Sequence, residues 1–143
     1  RSLVFPWYRR IVAMAHGKGV HALLHSCGNN RDIVDDILLD MRFDGLHSFE
    51  DNIQPVEEAY SRLKGRIAIL GGLDVGFLVE GPPEAIRTRA EDMLDLAADD
   101  GGYALGSGNS IADFVPFEHV RAMIEPALDR RRQVRAEVLH AGR

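Results

Sequence analysis

The sequence contains a single cysteine, Cys27, among its 143 residues, so no disulfide can form within the chain. A lone thiol is typical of proteins in reducing compartments, and we therefore predict a cytoplasmic location. Long apolar runs are also lacking, because none approaches the roughly 18 residues that a membrane helix requires. The sequence thus predicts no membrane partner.

Positive charge is scarce as well, since 17 Lys and Arg residues face 22 Asp and Glu residues, for a formal net charge of −5. The basic run Arg130–Arg132 lies in a terminal helical stretch, where a solvated face explains it, and we expect no nucleic-acid partner. The patterns GxxxxGK[ST] and GxGxxG are missing, which argues against the usual nucleotide sites. The serine-hydrolase pattern GxSxG is missing too.

Short apolar runs alternate with helical patterns along the chain. Strands are predicted at 20–25, 43–49, 66–70 and 103–105. Helices are predicted at 5–15, around 33–41, at 55–62, at 82–97 and from residue 116 onward, with a loop at 73–81. This order predicts an α/β protein with one domain, in which four parallel strands have helices on their outside. Residues 129–143 are predicted to form a C-terminal helical tail.

Polar or glycine-rich segments follow all four predicted strands, at 25–29, 47–51, 71–74 and 106–110. Because the carboxyl ends of parallel strands meet at one edge, these segments are expected to lie side by side. Such convergence predicts a site for a small-molecule substrate at that edge.

His25 and Cys27 are two residues apart, so on a strand both side chains project from the same face. Imidazole and thiolate are preferred zinc ligands, which makes the pair a candidate half of a metal site. The alternative is a small thiol beside a hydrogen-bonded histidine. A third ligand is sought in His47, Glu50 or Asp74.

His47 and Asp74 are the candidate catalytic residues, because both follow predicted strands. Asp74 comes after two glycines and has the chemistry of a general base or a substrate anchor. A helix or turn cap is the alternative for Asp74. A backbone-bonded histidine at a strand end is the alternative for His47.

The candidate substrate-binding residues are Gly72, Gly106, Gly108 and Asn109. Glycines allow backbone N–H groups to approach an anion closely, as in many phosphate and carboxylate sites. The alternative for 106–108 is a tight turn before the last helix.

Four segments carry a family resemblance: His-Ser-Cys-Gly-Asn at 25–29, His-Ser-Phe-Glu-Asp at 47–51, Gly-Gly-Leu-Asp at 71–74, and the stretch 101–123. They resemble the uroporphyrinogen decarboxylase superfamily, and the likeness extends from Phe5 to about Ala127. The resemblance implies the C-terminal half of a (β/α)8 TIM-type barrel, so residues 1–143 are expected to form one partial domain. It also implies a partner, either the missing N-terminal half-barrel or a second copy, without which the chain is expected to be inactive.

The superfamily implies two chemistries. Its corrinoid-dependent methyltransferases bind zinc with a His-x-Cys pair and a later cysteine, and this zinc activates a thiol as the methyl acceptor. His25 and Cys27 match that pair, whereas Asn109 stands in the place of the later cysteine. We therefore expect zinc-assisted methyl transfer from a corrinoid, carried by a corrinoid protein, to a thiol. Cofactor-free decarboxylation of uroporphyrinogen or a related polycarboxylate is one alternative, and a non-catalytic half-barrel is another.

Overall fold

A computed structural model describes residues 1–141 and shows one parallel sheet in the order β1-β2-β3-β4. The strands are β1 (Leu23–His25), β2 (Gly45–His47), β3 (Ala68–Leu70) and β4 (Tyr103–Ala104). The four predicted parallel strands are thereby confirmed. Each is shorter than its apolar run, because only the residues that lie opposite a neighbouring strand join the ladder.

Five α-helices accompany the sheet: α1 (Phe5–His16), α2 (Val56–Leu63), α3 (Val75–Glu80), α4 (Pro83–Leu96) and α5 (Phe117–Ala141). The predicted loop at 73–81 is wrong, because α3 forms there. Asp74 caps α3 by accepting a hydrogen bond from the Phe77 amide at 3.2 Å. Gly76 lies inside this helix, where glycine is unfavourable, so the segment is a poor helix candidate by sequence.

The predicted helix around 33–41 is present as a helical region, built from a 3₁₀ turn (Arg31–Ile33) and a π-helical turn (Asp36–Asp40) in place of a regular α-helix. In the wider turn, the Met41 amide donates to the Asp36 carbonyl at 2.8 Å. Ile37 and Met41 are nevertheless fully buried, so the apolar spacing identified the correct core residues.

The two faces of the sheet have different surroundings. Leu24, Leu46 and Ile69 point toward the helices and join a core with residues of α1 and α2. The alternate residues lie on the opposite face, where Leu23 is 55% exposed. That face is an open hollow whose lining includes Leu23, His25, His47, Leu70, Gly71, Ala104, Leu105, Gly106 and Ser107.

A second core joins α3, α4 and α5 around Leu78, Ile86 and Met123. Helix α5 continues without a break through the part of the predicted tail that the structure describes; residues 142–143 lie outside the described range. Within residues 1–141, no helix has both the length and the apolar character needed to cross a bilayer. In that same range, β1 and β4 each pair with a strand on one side only.

Candidate functional site

Hydrogen bonds hold the segments after the strands together at one edge of the sheet. The Ser26 amide donates to the carbonyl of His47 at 2.6 Å, which joins the ends of β1 and β2. The Leu73 amide donates to Gly106 at 3.0 Å, and the Gly108 amide donates back to Leu73 at 2.6 Å. The segments therefore meet as the parallel topology predicts.

The parallel register pairs His25 of β1 directly with His47 of β2. Their rings lie with centroids 4.7 Å apart, and the two Nδ1 atoms are 2.6 Å apart. The other nitrogen of His47, Nε2, lies 3.1 Å from the carbonyl oxygen of Ser107. Both nitrogens of His47 are therefore engaged in hydrogen bonds.

Cys27 is exposed and lies beside this histidine pair. Its Sγ is 3.3 Å from Nε2 of His25, so the two predicted ligands are brought together. Nδ2 of Asn109 also lies 3.3 Å from this sulfur, across 82 residues of sequence. The Ser48 hydroxyl lies further away, at 3.8 Å. The sulfur thus has an imidazole and an amide as its nearest polar neighbours.

The distances allow a direct test of whether zinc fits. Zn–N and Zn–S bonds of about 2.1 and 2.3 Å in a tetrahedron place the two ligand atoms about 3.6 Å apart. The 3.3 Å between Nε2 of His25 and Sγ of Cys27 is slightly shorter than that edge and close to it. Within residues 1–141, however, no group of three or more His, Cys, Asp or Glu side chains is arranged to hold a metal ion. The described residues therefore supply two of the ligands that one zinc ion needs, and no third ligand.

Asp74 has both carboxylate oxygens bound to backbone amides. Oδ1 accepts from Phe77 as the cap of α3, and Oδ2 accepts from the Asp51 amide at 3.1 Å. These contacts position the loop after β2 against the start of α3. A catalytic role for Asp74 stays a prediction.

Two of the candidate substrate-binding glycines, Gly72 and Gly108, are packed against other protein atoms. Gly72 has a φ of +108°, and any Cβ there would overlap Val56 at the start of α2. The amide of Gly108 donates to Leu73, and a Cβ on Gly108 would overlap the Phe49 carbonyl. Gly106 lines the hollow, as predicted for a residue near substrate, and its binding role stays a prediction.

Arg89 belongs to no motif in the sequence, yet it links the loop after β2 to α2 and α4. Its guanidinium binds both carboxylate oxygens of Asp51 at 2.6 and 2.7 Å and those of Glu57 at 2.7 and 3.0 Å. Burial acts to raise the pKa of Glu57, but the hydrogen bonds and charge of Arg89 outweigh it, so that pKa is lowered. The partners lie 32 and 38 residues from Arg89, so no local pattern marks the cluster.

Comparison with known families gives a match over most of the chain. The family model described as Uroporphyrinogen decarboxylase (URO-D) matches residues 1–129. The chain belongs to the uroporphyrinogen decarboxylase family. The family resemblance that we drew from four segments of the sequence is thereby confirmed.

Curated relatives of this URO-D chain include the uroporphyrinogen decarboxylase of Burkholderia mallei (strain SAVP1), with 36% identity over 78 residues. That match covers 54% of this chain and 21% of the relative. The uroporphyrinogen decarboxylase of Paraburkholderia xenovorans (strain LB400) is 31% identical over 81 residues, which are 57% of this chain and 22% of the relative. The matched segment thus spans about a fifth of each relative's length.

Among solved structures, a methyltransferase from Methanosarcina mazei superposes with a TM-score of 0.72 at 24% identity. The superposition covers 92% of the URO-D chain and 36% of the methyltransferase. This likeness confirms the α/β fold and shows that the chain corresponds to part of a larger fold, as expected for a half-barrel.

Proposed function

We propose that this URO-D chain is the C-terminal half of an enzyme that transfers a methyl group from a corrinoid to a thiol, with His25 and Cys27 as zinc ligands. The observation that carries the proposal is the 3.3 Å distance between Nε2 of His25 and Sγ of Cys27 at the edge of the hollow. An imidazole nitrogen and a thiolate sulfur are two of the donor types that zinc prefers.

The composition of the hollow beside this pair favours a small substrate of low charge. Its lining consists of leucines, alanine, glycines, one serine and two histidines, and none of these lining residues is an arginine, lysine or carboxylate. Arg31 lies four residues after Cys27 in the sequence. Its guanidinium pairs with Glu58 at 3.2 Å, outside this lining. A substrate with several carboxylate arms would find no cation among these lining residues.

Methyl transfer needs a sulfur nucleophile that has lost its proton. A new sulfur–carbon bond then forms while the bond from carbon to the corrinoid cobalt breaks, and its electron pair stays with the cobalt. A zinc ion held at the pair would supply positive charge that lowers the pKa of a thiol substrate. The chain itself supplies an amide N–H from Asn109, which donates toward the sulfur of Cys27.

Metal analysis of the full chain tests this proposal. We expect close to one zinc per chain after loading and desalting, and a large loss of zinc for Cys27→Ala. His21→Ala is the matched control, because His21 is 88% exposed and lies before β1, away from the pair. Sub-stoichiometric zinc in both the wild type and Cys27→Ala would end the zinc proposal.

Decarboxylation of a polycarboxylate is the second candidate, favoured by the curated relatives named uroporphyrinogen decarboxylase at up to 36% identity. The lack of a third metal-binding side chain among the described residues also favours a metal-free reaction. A wild type that folds normally and binds no zinc is the result expected from this candidate.

A further inference from the structure

Three polar contacts connect Cys27, His25, His47 and the Ser107 carbonyl in a row. They measure 3.3 Å from Sγ to Nε2 of His25, 2.6 Å between the two Nδ1 atoms, and 3.1 Å from Nε2 of His47 to the carbonyl oxygen. We infer that His47 is a positioning residue, which together with Ser107 holds His25 in the tautomer whose Nε2 lone pair faces Cys27. The tautomer of His25 does not depend on a metal, whereas its consequence for zinc binding rests on the function proposed above.

The chemistry of the last acceptor fixes the direction of every bond in the row. A carbonyl oxygen can only accept, so Nε2 of His47 carries a hydrogen and donates it to Ser107. A neutral imidazole has one N–H, which leaves Nδ1 of His47 as an acceptor. Nδ1 of His25 must then be the donor, and Nε2 of His25 retains its lone pair. Two neutral rings have no other arrangement that satisfies these contacts.

In this tautomer Nε2 of His25 has a free lone pair, which both a metal ion and a thiol hydrogen need as their acceptor. Zinc binds the lone pair of a neutral imidazole, and the other ring nitrogen normally donates to a fixed acceptor that orients the ring. Here the fixed acceptor is a second histidine, itself anchored on backbone. The same lone pair can accept the Cys27 thiol proton when no metal is bound.

His47 is thereby assigned a different role from that of third ligand, which the sequence had suggested. Both of its ring nitrogens are already engaged, one by His25 and one by Ser107. The fold fixes this arrangement, because β1 and β2 pair the two histidines in register. Gly71 completes it, since a Cβ at that position would overlap both the His47 ring and the Ser107 carbonyl.

The first experiment measures the tautomer in the wild type, without any variant of His47. The full chain is labelled with ¹⁵N at its six histidines, freed of metal with a chelator and studied by long-range ¹H–¹⁵N NMR near pH 8, above the usual imidazole pKa of about 6.5. A His25→Ala spectrum assigns the His25 signals. We expect Nδ1 protonated and Nε2 unprotonated. A proton on Nε2, or an even mixture of tautomers, would overturn the inference.

The second experiment compares zinc affinity, by competition with a chromophoric chelator, in His47→Phe and His47→Asn. Phenylalanine keeps the ring shape and removes the acceptor, so we expect affinity to fall about 10- to 100-fold, as is usual for loss of such an outer contact. Asparagine keeps an acceptor, because its side-chain oxygen stands near the place of Nδ1, so His47→Asn should bind almost as well as the wild type. His21→Phe is the control and should not change affinity.

The outcomes separate this inference from the proposed function. Wild-type affinity in His47→Phe, or equal losses in both His47 variants, contradicts the positioning role. A wild type that binds no zinc contradicts the proposed function, while the NMR result still decides the tautomer. If His47→Phe does not fold by circular dichroism, the wild-type spectrum alone decides.

Discussion

Gly71 follows β3 and has a φ of +72°, a backbone conformation that residues with a Cβ rarely adopt. Its position carries a second constraint, because a side chain there would enter the space shared by His47 and Ser107. Backbone conformation and close approach therefore both require glycine at the point where β3 meets the candidate site.

We predict that Gly71→Ala lowers the free energy of unfolding by about 2–4 kcal/mol, since about 1–2 come from the left-handed backbone and the rest from overlap. Gly19→Ala is the matched control: its φ is +70°, but nothing lies within 4 Å of the added Cβ. Its loss should be the backbone cost alone. Urea denaturation measures both, and equal losses would show that the overlap at Gly71 is relieved without cost.

At the scale of single residues, the sequence predicted neighbours along a strand better than neighbours across the sheet. His25 and Cys27 share a face because strand side chains alternate, which needs no knowledge of the fold. The contact of His47 with Ser107 spans 60 residues and depends on the registers of β2, β3 and β4. No pattern in the sequence fixes those registers.

Among the elements, the Arg89 cluster joins α4 to α2 and to the loop after β2. Arg89 is only 19% exposed and contacts two carboxylates, and its guanidinium lies 5.3 Å from the centre of the Phe77 ring. Asp51, one of the two carboxylates, also donates its amide to Asp74. The cluster therefore holds the loop after β2 beside the candidate site.

We predict that Arg89→Met lowers the free energy of unfolding at pH 7 by about 2 kcal/mol, between the values for exposed and for buried ion pairs. The reason is that Asp51 and Glu57 remain half-buried without their cation. Arg121→Met is the control, because its pair with Glu125 lies on the surface and Arg121 is 64% exposed. We expect little change there, and comparable losses in the two variants would contradict a special role for Arg89.

The same variant has a predicted pH dependence. The pKa of Glu57 is lowered in the folded chain from its ordinary value of 4.5, so its contribution to stability is present above that value. The contribution is lost as the pH falls through the lowered pKa. The difference in unfolding free energy between wild type and Arg89→Met should therefore shrink between pH 7 and pH 3, as measured by urea denaturation. A constant difference would mean that the variant acts through packing alone.

The order of elements was predictable, while the details of individual turns were not. Apolar runs and helical spacing placed all four strands and five helical regions, because burial dictates those periodicities. Helix α3 was missed because the cap at Asp74 offsets the unfavourable Gly76 inside the helix. The π-helical turn at Asp36–Asp40 was missed because it buries the same residues that an α-helix would.

For the whole molecule, the half-barrel leaves one face of the sheet without a covering layer. Within residues 1–141, helices pack on one face, and Leu23 on the other face is 55% exposed. The outer strands β1 and β4 also present unpaired backbone groups on one side each, in the part of the chain that the structure describes. The family resemblance implied this open face, because the fold of the superfamily has eight strand–helix units and the sequence predicts four strands.

Exposed apolar sheet faces and open edges favour association, so we predict that the wild-type chain self-associates as its concentration rises. Leu23→Lys places a charge on the open face and should shift the molar mass toward the monomer. Leu39→Lys is the control, since Leu39 is 73% exposed on the π-helical turn. Size-exclusion chromatography with light scattering at several concentrations measures all three proteins. Because Leu23 lies on the open face and Leu39 does not, a wild type that remains monomeric throughout, or equal behaviour of the two variants, would show that this face does not drive assembly.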